Sequence, residues 1–283
     1  MKKRMKVQRI VILTMLMVFA IMVTVTAAST TNGTKENETT TSSETTKKHI
    51  GKKKKKVKKL KVTFKTKKGK TYCRVNGKKA KKQFITVKNK IYYFDKNGVM
   101  AKGWKKYKKD YYYFDRSSGK MYKNTKVDGI KLNKQGKAKK KKVNINKINT
   151  MIKAKNTLES ITSYNDSKSQ KLRKAFDWIA KKPYRRYRLL SKMYKQKGWE
   201  STFANDIFDH GDGCCVSESA ALAFLVHEAG YKNVYVAHDS SHAWMELNNR
   251  VYDALFARAK DYNKYYNLSY GNYNCHPIDK RKI

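Results

Sequence analysis

The pattern of hydrophobic and polar positions divides the chain into segments with different predicted structures. Residues 1–28 begin with five basic side chains and continue as an apolar run that ends in small residues. This order predicts a secretory signal peptide, or an N-terminal membrane anchor where it is not cleaved. Residues 29–70 are rich first in Thr and Ser and then in Lys, so they predict a disordered tether, although the run LKVTF at 60–64 has the alternation of a strand.

Residues 71–139 repeat a short pattern of aromatic and turn residues. The sequence Tyr-Tyr-Phe-Asp occurs at 92–95 and again at 112–115, and Phe84 and Trp104 are also separated by 20 residues. Each unit combines an aromatic strand, a turn of the Asn-Gly type and a second strand, which is typical of a β-hairpin. Since one hairpin cannot bury its own face, a hairpin about every 20 residues predicts a solenoid.

Residues 143–283 show longer apolar periodicities and predict a second domain, which a lysine-rich linker at 137–142 separates from the repeats. Apolar residues at helical spacing predict helices, and shorter apolar runs between turn residues predict strands. Helices and antiparallel strands in one domain indicate the α+β class. The predicted helices are 168–182, 185–197 and 216–229, and the predicted strands are 233–237, 242–247 and 251–253.

A cysteine, a histidine and an aspartate follow one another in this second domain, at Cys215, His242 and Asp253. A thiol, an imidazole and a carboxylate are the parts of an activated nucleophile, because the base deprotonates the thiol and the carboxylate orients the base. Cys215 lies at the start of the apolar helix, where free N–H groups and the helix dipole favour a thiolate. Antiparallel pairing of the last two predicted strands would bring Asp253 beside His242.

Alternatives to these residues stay open on the sequence alone. Cys214 adjoins Cys215, but helical steps from Cys214 place Glu218 over its thiol. The same steps from Cys215 reach Ser219 and then apolar positions, so Cys215 is the preferred nucleophile. His238 is the other candidate base. Adjacent cysteines are poorly spaced for zinc, so we expect no metal site and no cofactor.

The segments IYYFDKNGVMAKGW and DYYYFDRSSGKMYKN resemble the cell-wall-binding (choline-binding-type) repeats of Gram-positive surface proteins. In that family, aromatic side chains of successive hairpins form pockets for choline or for sugar units of wall polymers. The resemblance implies a ligand bound by aromatic rings. The alternative is that the rings form only the core of the solenoid. The candidate ligand-binding residues are Phe84, Tyr92, Tyr93, Trp104, Tyr112 and Tyr113.

The second domain resembles the transglutaminase-like superfamily of papain-like thiol enzymes. The matching positions are Gly213 to Cys215, Ser219 with the two alanines that follow it, His242 with the Ala-Trp after it, and Asp253. The resemblance implies a papain-like or transglutaminase-like fold, with the cysteine at a helix N-terminus and the histidine and aspartate on antiparallel strands. It also implies Cys215 as the nucleophile, His242 as the general base and acid, and Asp253 as the orienting carboxylate.

The charge of the chain indicates its partners. It carries 67 Lys and Arg against 21 Asp and Glu, a formal net charge of +46. Residues 1–142 hold 44 of the basic and 7 of the acidic residues, so the basicity belongs mainly to the N-terminal half. Outside the cytoplasm such a surface favours anionic wall polymers such as teichoic acids, and nucleic acid is not expected. The alternative is that the lysines only keep an aromatic surface soluble.

These patterns together predict a secreted thiol enzyme associated with the cell wall of a Gram-positive bacterium. Its repeats are expected to bind a wall polymer, through choline, a sugar or anionic teichoic acid. The enzyme is expected to cleave or transfer an amide or peptide acyl group through a cysteine thioester, and hydrolysis of a protein or peptide substrate is favoured over cross-linking. The alternative, from a different class, is a non-catalytic wall adhesin whose second domain keeps the fold as a binding module.

Overall fold

The computed structural model describes residues 61–283, so the predicted signal peptide at 1–28 and most of the predicted tether lie outside the described residues. A series of β-hairpins precedes a unit of helices and one antiparallel sheet. Within 61–283, no helix is long and apolar enough to cross a membrane.

The hairpin strands are β1 (Val62–Lys67), β2 (Lys70–Val75), β3 (Lys78–Lys79), β4 (Gln83–Val87), β5 (Lys90–Phe94), β6 (Gly103–Tyr107), β7 (Asp110–Phe114), β8 (Lys126–Val127) and β9 (Ile130–Lys131). The second unit contains α1 (Lys142–Ile161), α2 (Lys168–Ala180), α3 (Trp199–His210), α4 (Cys215–Glu228), β10 (Val234–His238), β11 (Ala243–Leu247), β12 (Arg250–Tyr252), α5 (Ala254–Ala259), β13 (Tyr266–Ser269) and β14 (Asp279–Lys282).

Tight turns join the paired hairpin strands. Lys68 and Gly69, between β1 and β2, adopt positive φ angles of 47° and 70°, and Asp128 and Gly129, between β8 and β9, adopt 50° and 81°. Two successive residues with positive φ are typical of a type I′ turn, whose twist matches that of antiparallel strands. Glycine and aspartate adopt this conformation at lower cost than most residues. The predicted β-hairpins are confirmed.

Consecutive hairpins stack through a recurring backbone contact. The N–H of Met100 donates to the carbonyl of Thr71, and one repeat later the N–H of Met121 donates to the carbonyl of Ile91. A turn glycine allows this close approach, because a Cβ atom on Gly119 would lie only 2.3 Å from the sulfur of Met100. Each hairpin therefore covers part of the next, as the solenoid prediction requires.

The hairpin array begins inside the segment that the sequence predicts as a tether. Strand β1 pairs with β2 along its whole length, from Val62 opposite Val75 onwards. Val62 packs against a small core that contains the fully buried Cys73 and Phe94. The tether prediction for 29–70 is therefore wrong from residue 62 onwards, because residues 62–64 of the run LKVTF lie in β1, where β2 provides their partner.

The segment 137–142, predicted as a linker, is shorter than expected. Ala138 is buried and its N–H donates to the carbonyl of Tyr111, so only the exposed residues 139–141 separate it from α1, which begins at Lys142. The lysines around this alanine concealed its burial in the sequence. The last hairpins share one hydrophobic core with the helices, to which they contribute Trp104, Tyr111, Tyr113, Ile130, Leu132 and Ala138.

Helix α4 lies at the centre of the second unit. Thirteen of its 14 residues are buried, because apolar side chains cover its whole circumference. Helices α1, α2 and α3 pack on it, and strands β10 and β11 cover another side. The antiparallel sheet has the order β13-β12-β11-β10-β14. The unit thus combines helices with an antiparallel sheet, as the predicted α+β class requires.

The predicted helix at 185–197 is wrong. The segment is an irregular loop that contains one short 3₁₀ turn at Leu190–Lys192. Arg188 points inward to the buried carboxylate of Asp206, at 2.5 Å, which draws the backbone away from a helical path. Like charges three residues apart, at Arg185 and Arg188, also disfavour a helix. The loop instead forms one wall of a cavity.

The predicted helices at 168–182 and 216–229 are confirmed with small shifts of their ends. Helix α2 begins after Ser167, whose side chain and that of Gln170 accept hydrogen bonds from each other's backbone N–H in a capping box. Helices α1 and α3 were not predicted. The many asparagines and lysines of α1, and buried polar residues of α3 such as Glu200, hide their apolar faces in the sequence.

Candidate functional site

The N-terminus of α4 carries two adjacent cysteines. Cys214 is the N-cap residue and Cys215 the first residue of the helix, so both thiols lie near free N–H groups of the first turn. Both side chains are buried and neither forms a disulfide. The contact with Cys214 and burial raise the pKa of the Cys215 thiol, and the N–H of Ala243, the residue after His242, acts in the opposite direction. The structure therefore places Cys215 beside the strand that follows the candidate base.

A hydrogen bond of 2.7 Å joins His242 Nε2 to Asp253 Oδ2, across the ends of the paired strands β11 and β12. Asp253 is buried and accepts two further hydrogen bonds, from the N–H of Phe256 at 3.0 Å and the hydroxyl of Tyr273 at 2.8 Å. The Phe256 ring stacks on the imidazole, with ring centres 4.2 Å apart. Since the carboxylate occupies Nε2, Nδ1 is the ring nitrogen left for a thiol.

The two thiols influence each other's ionisation. A hydrogen bond from the Cys215 thiol, aided by the N–H groups of Ser217 and Val216, lowers the pKa of Cys214. The same contact, together with burial, raises the pKa of Cys215, while the N–H of Ala243 acts in the opposite direction. Cys214 therefore loses its proton at a lower pH than Cys215 does. Its contact with Cys215 makes the Cys215 proton harder to remove.

Cys214 contacts a chain of buried polar groups. Its sulfur lies 3.6 Å from the hydroxyl oxygen of Ser217, and that hydroxyl donates to Asp206 at 2.8 Å. Arg188 neutralises Asp206 from the loop side. Cys214 is thus directed into the protein, whereas Cys215 is directed toward the start of β11. This difference supports Cys215 as the thiol next to the imidazole.

Both thiols and His242 line one cavity of about 470 Å³. The loop after α2 supplies one wall, including Arg186 and Leu189, and the residue before β14, Ile278, lies on the rim. Ile278 is 71% exposed and Leu189 is 45% exposed, so the rim is apolar and open to water. The cavity is therefore open to solvent beside this apolar rim.

His238, the alternative base, lines the same cavity. Its Nδ1 is hydrogen-bonded to the carbonyl of Asp239 at 2.9 Å, and its Nε2 has no hydrogen-bond partner within 61–283. It lacks the close carboxylate partner that His242 has in Asp253. In the same part of the chain, no three His, Cys, Asp or Glu side chains are grouped so that they could hold a metal ion.

Several residues of the site carry no sequence signal. Tyr273 and Ser217 reach it through contacts that spacing does not reveal. Arg186 also lines the cavity, and its pKa is raised by the hydroxyl of Tyr184 and, to a smaller degree, by the two thiols. Glu218, whose pKa is raised to about 7 by burial, accepts a hydrogen bond from an arginine of α5. Only the alternation of basic and apolar residues at 184–190 could have indicated a cavity wall.

Some of the predicted ligand-binding aromatic residues of the repeats form one cluster. Phe84, Tyr93 and Tyr112 form an aromatic cluster together with Tyr107, which was not predicted, and ring centres in it lie 4.9 to 5.4 Å apart. Phe84 and Tyr107 are half-buried, so this cluster keeps an accessible edge. Tyr92 lies apart from it, with its ring edge on Phe64.

Trp104 and Tyr113 are not placed to bind a ligand. Trp104 is 2% exposed and its indole N–H donates to Asp128 at 2.7 Å, while its ring meets Tyr113 edge-on at 5.3 Å. Asp128 is also bonded to His227 of α4, at 3.1 Å. These two predicted ligand-binding residues instead lie in the core that the repeats share with the helical unit, where β6 packs on α1 and Asp128 links Trp104 to α4.

The sequence of residues 80–125 matches the family model of the choline-binding repeat. No curated protein matches the chain. Among solved structures, CbpJ from Streptococcus pneumoniae is 31% identical over 28% of this chain and 27% of its own, with a TM-score of 0.26. The match thus spans about a quarter of CbpJ.

Two further structures are similar over the same small share of the chain. A choline-binding domain from Streptococcus pneumoniae is 28% identical over 27% of this chain and 93% of its own, with a TM-score of 0.25. The modular Cpl-1 endolysin, solved with a peptidoglycan analogue, is 28% identical over 22% of this chain and 18% of its own, with a TM-score of 0.21. From the family match, the chain carries choline-binding-type repeats at residues 80–125.

Proposed function

We propose that this protein is a secreted thiol enzyme of the Gram-positive cell surface, which cleaves or transfers an amide or peptide acyl group. Cys215 is the nucleophile, His242 the general base and acid, and Asp253 the orienting carboxylate. The observation that carries the proposal is the 2.7 Å bond between His242 and Asp253, in a cavity that the thiol of Cys215 also lines. This order of thiol, imidazole and carboxylate is what an activated nucleophile needs.

The reaction proceeds in two halves. The sulfur of Cys215 attacks the carbonyl carbon of the amide, and His242 Nδ1 accepts the thiol proton. The tetrahedral oxyanion forms beside the N-terminal N–H groups of α4, which stabilise its charge. As the C–N bond breaks, His242 returns the proton to the leaving amine and a thioester remains. Water, deprotonated by the same imidazole, then releases the acid and restores the thiol; an amine in place of water gives a transfer product.

Hydrolysis is favoured over cross-linking on the character of the cavity. Its rim is exposed, so water reaches the thioester as easily as a second substrate does. The apolar rim residues Leu189 and Ile278 suit the side chains of an extended peptide, and Arg186 suits a carboxylate on it. A protein or peptide substrate with an acidic group near the cleaved amide is therefore the best fit.

The repeats are proposed to hold the enzyme on a wall polymer. The family match at residues 80–125 supports this, because the matching model is that of the choline-binding repeat. The aromatic cluster around Phe84 is the place where choline or a sugar ring would bind, and lysines around it suit an anionic polymer. Export of the chain rests on the predicted signal peptide at 1–28.

A second candidate is a non-catalytic wall adhesin with the same fold. It is favoured by the contact with Cys214, which raises the pKa of Cys215 and so reduces its nucleophilicity.

The two candidates differ in whether amide bonds are broken. Purified wild type, Cys215→Ala and, as a matched control, Cys275→Ala are incubated with wall-derived and protein-derived peptides, and the products are read by mass spectrometry. Cleavage by wild type and Cys275→Ala but not by Cys215→Ala supports the enzyme; intact peptides in all three samples support the adhesin.

A further inference from the structure

A second cavity lies between the hairpin array and the helical unit. It measures about 610 Å³ and is lined by the β1–β2 turn, the residue before β6, the end of α1 and the start of α2. None of its lining residues lines the cavity beside the thiols. This junction cleft is therefore a separate place on the molecule, formed only because the two units share one core.

Basic side chains dominate the junction cleft. Its two carboxylates already have partners, because Glu159 pairs with Lys155 at 2.5 Å and Glu228 pairs with Arg116 at 2.7 Å. The cleft therefore has positive charge in excess. Four further lysines that line it have no carboxylate within ion-pair distance in the part of the chain that the structure describes, namely Lys68, Lys70, Lys102 and Lys171.

A neighbouring carboxylate does not cancel this charge. The hydrogen bond from Lys174, and to a smaller degree the charge of Lys171, lowers the pKa of Asp166. Asp166 accepts from Lys174 at 2.7 Å and from the backbone N–H of Ser163 at 2.7 Å, both at Oδ2, so its charge is paired with a lysine that does not line the cleft. The four unpaired lysines that line the cleft thus have no counter-charge of their own.

The ligand that suits such a cleft carries several anionic groups along a chain. Lysine is a compact, strongly hydrated charge that binds phosphate oxygens as a point charge. Tyr164 is the single aromatic residue among those that line the cleft, so it offers no platform on which successive bases could stack. We propose that the junction cleft binds a phosphodiester polymer that lacks bases, independently of the thiol chemistry.

The carboxylates of the array do not offset the charge of the junction cleft. Residues 71–139 hold 21 basic and 4 acidic residues, and each carboxylate is already engaged within the fold. Asp95 and Asp115 accept hydrogen bonds from their own turns, Asp110 pairs with two lysines, and Asp128 binds Trp104 and His227. The cleft, unlike the aromatic cluster around Phe84, therefore suits a phosphodiester and not a cation such as choline.

The test measures binding of a labelled synthetic poly(glycerol phosphate) oligomer to the full chain by fluorescence anisotropy. One variant replaces three cleft lysines with glutamine (Lys70, Lys102 and Lys171), and a control replaces three exposed lysines elsewhere on the array (Lys81, Lys96 and Lys134), so both lose the same charge. We expect the cleft variant to bind at least about tenfold more weakly than wild type and to show a smaller salt dependence, while the control changes less than about threefold.

Three results would overturn the proposal. Equal weakening of both variants would show that only the total charge matters. Displacement of the oligomer by choline chloride at concentrations where sodium chloride has no effect would assign recognition to the aromatic rings. Tighter binding of single-stranded DNA of the same charge, lost in the cleft variant, would make the cleft a nucleic-acid site. Circular dichroism of both variants checks that the fold is retained, and peptide cleavage checks the proposed enzyme separately.

Discussion

The two neighbouring thiols at the start of α4 have different surroundings. Cys214 is directed to the buried chain of Ser217 and Asp206, and Cys215 is directed to the strand that follows His242. The proposed function gives the two cysteines different roles. In it, Cys215 is the nucleophile, and Cys214 sets the proton affinity of its neighbour.

Replacing Cys214 with alanine should make Cys215 more reactive. The contact with Cys214 is the main cause that raises the pKa of Cys215, so its loss lowers that pKa and increases the thiolate fraction at pH 7. Alkylation by iodoacetamide at pH 7 should become several-fold faster, up to about 30-fold where an ordinary thiol becomes fully ionised. The midpoint of the rate against pH should also move to lower pH. The control Cys275→Ala should match wild type, and loss of the fast alkylation in Cys214→Ala would instead make Cys214 the nucleophile.

Replacing Asp253 with asparagine should separate its catalytic from its structural role. Asparagine still accepts the hydrogen bond from Phe256 that caps α5, but it removes the charge that orients and stabilises the imidazole. We expect kcat/KM to fall by roughly 10²- to 10⁴-fold with little change in Tm. Asp253→Ala should lose the activity and also about 0.5 to 2 kcal/mol of stability, because the cap is lost. Unchanged activity in Asp253→Asn would contradict the assigned role.

Elements with a strong local pattern could be predicted from the sequence. The apolar run of α4 and the short strands β10 to β12 are recognisable because every residue faces the core or alternates across a sheet. The antiparallel pairing of β11 with β12 then leads to the contact between His242 and Asp253. The fold class and the central part of the candidate site follow from local sequence in this way.

Elements that depend on distant contacts could not be predicted. Helix α1 is rich in asparagine and lysine and is stabilised by packing on α4. The loop at 185–197 has helix-forming residues, but Arg188 is drawn to Asp206 of α3. The same reason applies to Trp104, whose burial in the core shared with the helical unit is invisible in a repeat pattern that otherwise indicates a ligand pocket.

The turn between β8 and β9 connects the repeats to α4 through Asp128. Burial acts to raise the pKa of Asp128, but hydrogen bonds with His227 and Trp104 outweigh it and lower the pKa. A lowered pKa means that the carboxylate stabilises the fold at pH values above its unfolded pKa of about 4, and that this stabilisation is lost as the pH falls through the lower folded pKa.

Replacing Asp128 with asparagine should therefore have an effect that depends on pH. We expect the free energy of unfolding to fall by about 1 to 3 kcal/mol at pH 7, because Trp104 and His227 lose a charged partner. The difference from wild type should shrink as the pH is lowered below about 4. Urea unfolding at both pH values measures it. A difference that stays constant or grows toward low pH would contradict this role of Asp128.

At the scale of the whole molecule, the last hairpins and the helical unit share one hydrophobic core. This core contains Trp104 from the array together with residues of α1 and α4. Ala138, in the segment predicted as a linker, is buried in the same core. We therefore expect the described part of the chain to unfold in a single step, although its sequence suggests two separate domains.

Replacing Trp104 with alanine should destabilise both units together. Loss of a buried tryptophan costs about 3 to 5 kcal/mol, so hydrogen exchange of the repeat amides, read by mass spectrometry, and far-UV circular dichroism from the helices should shift to the same lower denaturant midpoint. Phe84→Ala, at a half-buried position of the aromatic cluster, should cost less. Two separate transitions in wild type, or a shift of only one signal in Trp104→Ala, would show that the units unfold independently.

The account depends above all on a covalent acyl group at Cys215. Wild type, Cys215→Ala and Cys275→Ala are mixed with an amide-bearing wall peptide, quenched in acid within the first turnover, and examined by intact mass and peptide mapping. We predict a mass increase equal to the acyl part of the peptide on Cys215, in wild type and Cys275→Ala only, together with one released amine per acyl group. Release of the amine without modification of Cys215, or modification that persists in Cys215→Ala, would contradict the account.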